Sequence, residues 1–195
     1  ALRYFVPPLL EKGYRVVAFD GPAHGNSDGK RTNLLHFGGA VRAVINQIGG
    51  VHGIITHSFG GASTAFALSR LSESIKVKKL VLIGVPDKLE KVLGDAMRTL
   101  NVPPPAARAF LDYIEQKVNF PAHQADTSKA DLQQQVGQVL VVHDETDAIV
   151  PISEAQSIFE AWDNAQMLIS KGYGHYRLMK NPDLVAAVAN FIHTA

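Results

Sequence analysis

The runs Leu80-Val81-Leu82-Ile83 and Val139-Leu140-Val141-Val142 are apolar at every position, not at every second one. A strand with two apolar faces must be covered on both, which is the condition of a parallel sheet lying between layers of helices. Similar short runs occur at residues 15–20, 51–56 and 166–170, so five strands are expected, at 15–20, 51–56, 77–83, 139–142 and 166–170. The intervening segments carry the other period. Between Asn33 and Ile48 the apolar positions Leu34, Phe37, Val41, Val44, Ile45 and Ile48 recur at three and four, and Gly49-Gly50 stops them, the pattern of an amphipathic helix with a glycine end. Further helices are expected ending near Glu11 and over 60–71, 153–162 and 182–192, the one at 60–71 being rich in alanine and serine and so able to lie close to a sheet. Strands alternating with helices imply an α/β fold whose strand carboxyl ends share one edge, where sites in such sheets are built.

The rhythm breaks between Asp87 and Gln138. Two helical patterns stand there, Leu89-Val92-Leu93-Ala96-Leu100 and Ala107-Phe110-Leu111-Ile114-Val118, separated by Pro103-Pro104-Pro105 and followed by the polar Gln133-Gln134-Gln135. The expected organisation is therefore a core in two parts, residues 1–86 and 136–195, with residues 87–135 inserted as a short helical lid over the sheet edge. Composition narrows the class. The chain has 195 residues, 46% of them hydrophobic, with 19 basic and 18 acidic side chains, so it is a globular domain and not a disordered tail. It has no cysteine, which excludes disulfides and any thiol nucleophile. The balanced charge offers no basic stripe for nucleic acid. No apolar run approaches the ~18 residues of a membrane span and no signal peptide is visible, so a soluble, cytoplasmic protein without membrane contact is expected.

Three segments carry chemistry. His57-Ser58-Phe59-Gly60-Gly61 falls where the strand at 51–56 gives way to a helix. A serine on such a sharp turn needs small neighbours two positions away, a condition Gly60 meets and Thr56 replaces with a larger residue; its hydroxyl then projects from the sheet edge. The amide of Phe59, at the helix start, can donate to an oxyanion. Strand-to-helix turns of this kind also bind phosphate or merely cap helices, so the serine alone decides nothing. After the strand at 139–142 comes His143-Asp144-Glu145-Thr146-Asp147, with three candidate carboxylates, and after the strand at 166–170 comes Lys171-Gly172-Tyr173-Gly174-His175, with an imidazole. Serine, acid and histidine in that order, each past a strand of one sheet, is the order of one serine-hydrolase architecture. The imidazole takes the hydroxyl proton near neutral pH and the carboxylate fixes its tautomer.

On these motifs, together with Gly13-Tyr14-Arg15-Val16-Val17-Ala18-Phe19-Asp20 and Pro22-Ala23-His24-Gly25-Asn26-Ser27, the chain resembles the α/β-hydrolase superfamily over essentially its whole length, and within it bacterial α/β-hydrolases of unassigned substrate. The resemblance implies Ser58 as nucleophile, Asp147 as acid, His175 as base and the Phe59 amide as one oxyanion donor. Asp20, His24 and Ser27 match a loop that is structural in the family. The implied activity is that of a serine esterase acting on a small carboxylic ester through an acyl-enzyme, with no cofactor and no metal. Thioesterase, perhydrolase or acyltransferase chemistry on the same triad, or a non-catalytic binding protein on this fold, are the alternatives. Oligomeric state and substrate-binding residues stay open. The family also has strands ahead of Arg15, one of them between 15–20 and 51–56, and then a loop giving a second oxyanion amide. Since neighbouring strands lie ~4.8 Å apart and need paired backbones, the expectation is that residues 1–195, opening on Ala1, are the carboxyl-terminal part of a longer chain.

Other patterns weigh less. Gly25-Asn26-Ser27-Asp28-Gly29-Lys30 is one residue short of a phosphate loop and Arg31 stands where serine or threonine should follow. His24, His57, His143 and His175 share no paired-ligand spacing. Met97, Phe110, Tyr113 and Ile114 could line an acyl pocket, with packing of the lid the simpler role; Trp162 fits helix packing, and Tyr176 and Arg177 flank the expected base.

Overall fold

A computed structural model of the chain describes residues 2–72, 75–132 and 134–194; Ala1, Gln133 and the side chain of Val118 lie outside the described part. Four strands, β1 (Gly53–His57), β2 (Val77–Ile83), β3 (Val136–Asp144) and β4 (Ala165–Ser170), form one parallel sheet in the order β1-β2-β3-β4. The register pairs His57 with Ile83, Ile83 with Val142 and Asp144 with Ser170. All four carboxyl ends therefore open on the same edge.

The uninterrupted apolar runs divide between two faces, as side chains on a strand must. Leu80, Leu82, Val139 and Val141 join one core with α2 (Leu34–Ile48), α3 (Phe59–Leu68) and α6 (Ile152–Ala161). Val81, Ile83, Leu140 and Val142 join a second with α1 (Val6–Glu11) and α8 (Pro182–His193). Leu80, Val81, Leu82 and Ile83 are fully buried, a gain of about 1.5–3 kcal/mol for each side chain. The expected layering, helices on both faces of a parallel sheet, is present. Helix α2 begins where the Asn33 side chain accepts the His36 amide at 2.8 Å and ends at Gly49, φ 76°, a side-chain cap and a left-handed stop. Helix α3 buries Gly61, Ala62, Ser63, Thr64, Ala65 and Ala67. Its small side chains let α2 come close: a Cβ on Gly38 would stand 3.0 Å from the Ser63 carbonyl oxygen.

The expected strand at residues 15–20 is not formed. The segment has no regular secondary structure, Val16 packs on the second core, and Val17 and Phe19 are exposed. An apolar run becomes a strand only when a sheet edge takes its backbone bonds, and among the described residues no strand pairs with it.

Between β2 and β3 run α4 (Leu89–Thr99), α5 (Pro104–Val118) and two 3-10 turns, Ala122–Ala125 and Thr127–Lys129. The insertion is fastened at its root. Glu154 of α6, itself buried, accepts the amides of Asp87 and Lys88 at 3.0 and 2.9 Å and pairs with Lys91 at 3.2 Å. Buried Asp87 accepts from Ser157 Oγ at 2.6 Å, from the Ser128 amide at 2.7 Å and from Lys88 at 2.9 Å. Burial works to raise the Asp87 carboxyl; these donors outweigh it and hold the group below its ordinary value. Met97 is buried, while Phe110 and Tyr113 face solvent. A cavity of about 60 Å³ lies between α4, α5 and the start of α2, lined by Leu34, Leu89, Leu93, Leu111, Ile114 and Phe120 among others. Trp162 caps α6 within the first core.

Candidate active site

The chain leaves β1 at His57 and enters α3 at Phe59, so Ser58 alone makes the turn. Its backbone stands at φ 53°, ψ −131°, a conformation sparsely populated by residues with a side chain. Two contacts hold it there, and a third fixes the residue two positions before it. The Ser58 amide donates to Ile83 O at 2.9 Å, its carbonyl accepts from the Gly61 amide at 2.8 Å, and the Thr56 hydroxyl donates to Val81 O at 2.8 Å. Thr56 thus fills the position where a smaller residue was expected by turning its hydroxyl across to β2. The requirement for a small residue on the other side falls on Gly61, not Gly60: a Cβ at Gly61 would lie 2.2 Å from Val85 Cγ2, whereas one at Gly60 would meet nothing within 4 Å. The amide of Phe59 follows Ser58 directly as the first of α3, among the donors a helix start leaves unbonded.

Asp147 and His175 converge on this serine. Asp147 lies in the loop after β3 and His175 in α7 (Gly174–Arg177), a single turn after β4. Both are buried, 8% and 5% exposed. His175 Nδ1 is 2.7 Å from Asp147 Oδ2, and His175 Nε2 is 3.0 Å from Ser58 Oγ. An ionised carboxylate only accepts, so Nδ1 carries the proton toward Asp147 and Nε2 is left to accept from the Ser58 hydroxyl. The other oxygen of Asp147 accepts the amides of Ile149 and Val150 at 2.8 and 2.9 Å. Glycine makes room for the ring: Gly84, φ 56°, follows β2, and a Cβ there would stand 3.3 Å from His175 Cε1 and Nδ1 and 3.6 Å from Asp147 Oδ2.

The two rival carboxylates are engaged elsewhere. Glu145 pairs with Lys171 at 2.9 Å on the surface. Asp144, fully buried, accepts from Thr146, Ser170 and the amides of Tyr173 and Gly174. Of the four histidines singled out in the sequence, three gather here. His57 donates from Nε2 to the carbonyl of His175 at 3.0 Å, and its ring lies 4.7 Å from that of His175; burial lowers its pKa from 6.5 to about 4, so it is neutral at pH 7. His143 stands behind Asp147, its Nε2 donating to Val150 O at 2.8 Å. His24 stays in the exposed 20–31 loop, bonded to Pro22 O at 3.0 Å. In that loop Asp20 accepts the Asn26 amide at 3.0 Å and the Ser27 hydroxyl bonds to Asp20 O. Tyr176 packs edge-on against His175 at 4.9 Å with its own ring exposed, and Arg177 turns back to the carbonyls of Tyr173 and Gly172. The apolar cavity under α4 and α5 is not lined by Ser58, Asp147 or His175. Among the described residues no three His, Asp or Glu side chains are grouped to hold a metal ion, and no helix is long and apolar enough to cross a membrane.

Sequence reasoning had no part for Gly84, Gly61 or the Asp144 contacts. A glycine directly after the apolar run of β2 was the available sign of a close approach at the strand end.

Comparison with known proteins places these features in a common frame. Among solved structures, a bromoperoxidase from Bacillus anthracis superposes with a TM-score of 0.71 at 20% identity, over 99% of this chain and 87% of that one. An esterase from Exiguobacterium antarcticum gives 0.71 at 18% identity, over 99% and 87%, and an esterase from Pyrococcus furiosus gives 0.68 at 20%, over 97% and 74%. These likenesses are of fold. No curated protein matches by sequence. The model of the Alpha/beta hydrolase family matches residues 2–188, nearly the whole chain, and the protein belongs to that family.

Proposed function

We propose that the protein is a serine hydrolase that cleaves small carboxylic esters, with Ser58 as nucleophile, His175 as general base and acid, and Asp147 as its orienting carboxylate. The observation that carries this reading is the continuous hydrogen-bonded path from Ser58 Oγ through His175 to Asp147, at 3.0 and 2.7 Å, on a serine held at positive φ at a strand-to-helix turn. His175 Nε2 removes the hydroxyl proton as Oγ attacks the ester carbonyl, and the Phe59 amide donates to the oxyanion that forms. His175 then returns the proton to the leaving alcohol. Water, deprotonated by the same nitrogen, releases the acid and restores Ser58. Throughout, Asp147 stabilises the imidazolium.

Residues 87–135 act in this reading as a lid, fastened at Asp87 and Glu154. Its two helices are short, 11 and 15 residues, which favours a modest acyl group. Two of the structural neighbours are esterases, and one is called a bromoperoxidase. That name supports a second reading in which hydrogen peroxide, not water, meets the acyl-enzyme and leaves as a peracid.

The test is intact-mass analysis after reaction with a fluorophosphonate, with p-nitrophenyl acetate hydrolysis alongside. One adduct on the wild type, none on Ser58→Ala and a loss of about 10³-fold or more in hydrolysis for that variant are expected. A wild type that takes up no adduct refutes the reading.

A further inference from the structure

We propose that Asp144 is a positioning residue for His175, its buried carboxylate clamping the loop that carries the imidazole to the loop that carries Asp147. The inference rests on the reading of Ser58, His175 and Asp147 given above and adds a residue to it that touches none of the reacting atoms.

Asp144 is the last residue of β3 and stands opposite Ser170, the last of β4. Its side chain is fully buried and accepts five hydrogen bonds. Oδ1 takes the Thr146 amide at 3.0 Å, the Thr146 hydroxyl at 2.6 Å and the Gly174 amide at 3.0 Å. Oδ2 takes the Ser170 hydroxyl at 2.7 Å and the Tyr173 amide at 3.1 Å. The donors are unevenly placed in a telling way. Thr146 immediately precedes Asp147, and Tyr173 and Gly174 immediately precede His175. One carboxylate therefore fixes the residue next to the acid and the two residues next to the base.

The loop is shaped to receive it. Gly172 and Gly174 are left-handed, at φ 91° and 62°, and successive amides in such a turn point to one side as a concave donor set for an anion. Burial opposes the charge on Asp144, but the bonds from Thr146, Gly174, Ser170 and Tyr173 outweigh it and keep the group ionised well below the ordinary carboxylate range. No neutral side chain of this size accepts five donors. In Asp144→Asn one oxygen becomes an NH₂ group, and whichever oxygen is replaced, the new donor faces a backbone amide, Gly174 on one side or Tyr173 on the other. The base loop is then released at its root while Asp147 keeps its own two amides.

The test compares wild type, Asp144→Asn and Ser170→Ala in the full chain by the rate of fluorophosphonate labelling at Ser58, by kcat and KM for p-nitrophenyl acetate and by the pH dependence of kcat. A drop of about tenfold or more in labelling rate and kcat for Asp144→Asn is expected, since displacements well under 1 Å at reacting groups are costly, with KM within about threefold and the His175 limb of the pH profile shifted. Ser170→Ala, which removes one donor and almost no bulk, should slow labelling two- to fivefold; it decides the matter if Asp144→Asn does not fold. A brace with no part in positioning lowers the melting temperature only. Variants that label at the wild-type rate with the wild-type pH profile overturn the proposal while leaving the reading of Ser58 intact; a wild type that does not label at all overturns both.

Discussion

Gly84→Ala separates the cost of a strained backbone from the cost of a displaced imidazole. Gly84 sits at φ 56°, where an alanine loses about 1–2 kcal/mol relative to its preferred regions. Part of that, about 0.4–1 kcal/mol, is returned because alanine restricts the unfolded chain. The net loss of roughly 1 kcal/mol corresponds to about 2–4 °C in melting temperature for a domain of this size. The new methyl also meets His175 Cε1 and Nδ1 at 3.3 Å, a few tenths of an ångström too close. The ring cannot simply retreat, because Asp147 holds it at 2.7 Å, Ser58 at 3.0 Å and His57 the backbone carbonyl at 3.0 Å. One of these contacts must lengthen. With a 1 Å misplacement costing about 10²-fold, a shift of a few tenths should slow fluorophosphonate labelling of Ser58 about three- to tenfold. The control is Gly49→Ala, which occupies φ 76° with nothing within 4 Å of its Cβ and lies at the end of α2. It should lose similar stability and label at the wild-type rate. If Gly84→Ala is destabilised like Gly49→Ala but labels as the wild type does, the argument that Gly84 makes room for the base is wrong.

Two further outcomes follow from half-buried His57 and buried Glu154. Folded His57 takes up a proton only near pH 4, whereas in the unfolded chain it does so near 6.5, so the unfolded state binds more protons between those values. Stability is therefore full above pH 6.5 and falls as the pH drops toward 4, by on the order of 2–3 kcal/mol from this residue. Urea unfolding at pH 7.5 and 4.5 should show a smaller acid loss for His57→Gln than for the wild type; equal losses would contradict the assignment. Glu154→Ala leaves the amides of Asp87 and Lys88 without their acceptor, which should cost about 2–3 kcal/mol and raise hydrogen exchange over residues 87–99 before the rest of the chain. A loss below about 0.5 kcal/mol would mean that the insertion is held by other contacts.

The fold was legible where local composition alone decides it. Leu80-Val81-Leu82-Ile83, placed among alternating helical segments, reads as a strand covered on both sides, and the two cores take its residues alternately. Residues 15–20 hold a similar apolar stretch, Val16-Val17-Ala18-Phe19, and do not form a strand, because pairing is a property of the edge that receives the run and not of the run itself. The short helix α7 left no mark, since four residues are too few for a periodic signal. In the site, chain order pointed to Ser58, to a carboxylate within 144–147 and to His175, the family resemblance implied Asp147 among the carboxylates, and the structure brings Ser58, His175 and Asp147 within hydrogen-bonding distance. Order could not separate Asp144, Glu145 and Asp147, three carboxylates within four residues. What separates them is direction: Asp144 turns to the amides of Tyr173 and Gly174, Glu145 to Lys171 in solvent, and Asp147 to His175. The small-residue condition moved from Gly60 to Gly61 for a similar reason, since it depends on where Val85 stands.

The sheet order explains why the site needs so many supports. Strand order follows chain order, with β1 at one edge and β4 at the other, so Ser58 and His175 start from strand ends three spacings apart, about 14 Å at ~4.8 Å per spacing. A side chain does not span that distance. The loop after β4 must therefore fold back across the ends of β3 and β2 before its imidazole can reach Ser58. Left-handed Gly172 and Gly174 give it the bend, Asp144 at the end of β3 receives its amides, Gly84 just past β2 has no side chain to block the ring, and His57 at the end of β1 donates to the carbonyl of His175. The 3.0 Å separation between the His175 imidazole and the Ser58 hydroxyl thus depends on contacts at several strand ends, and a displacement at one of them must be taken up by the others or by that separation.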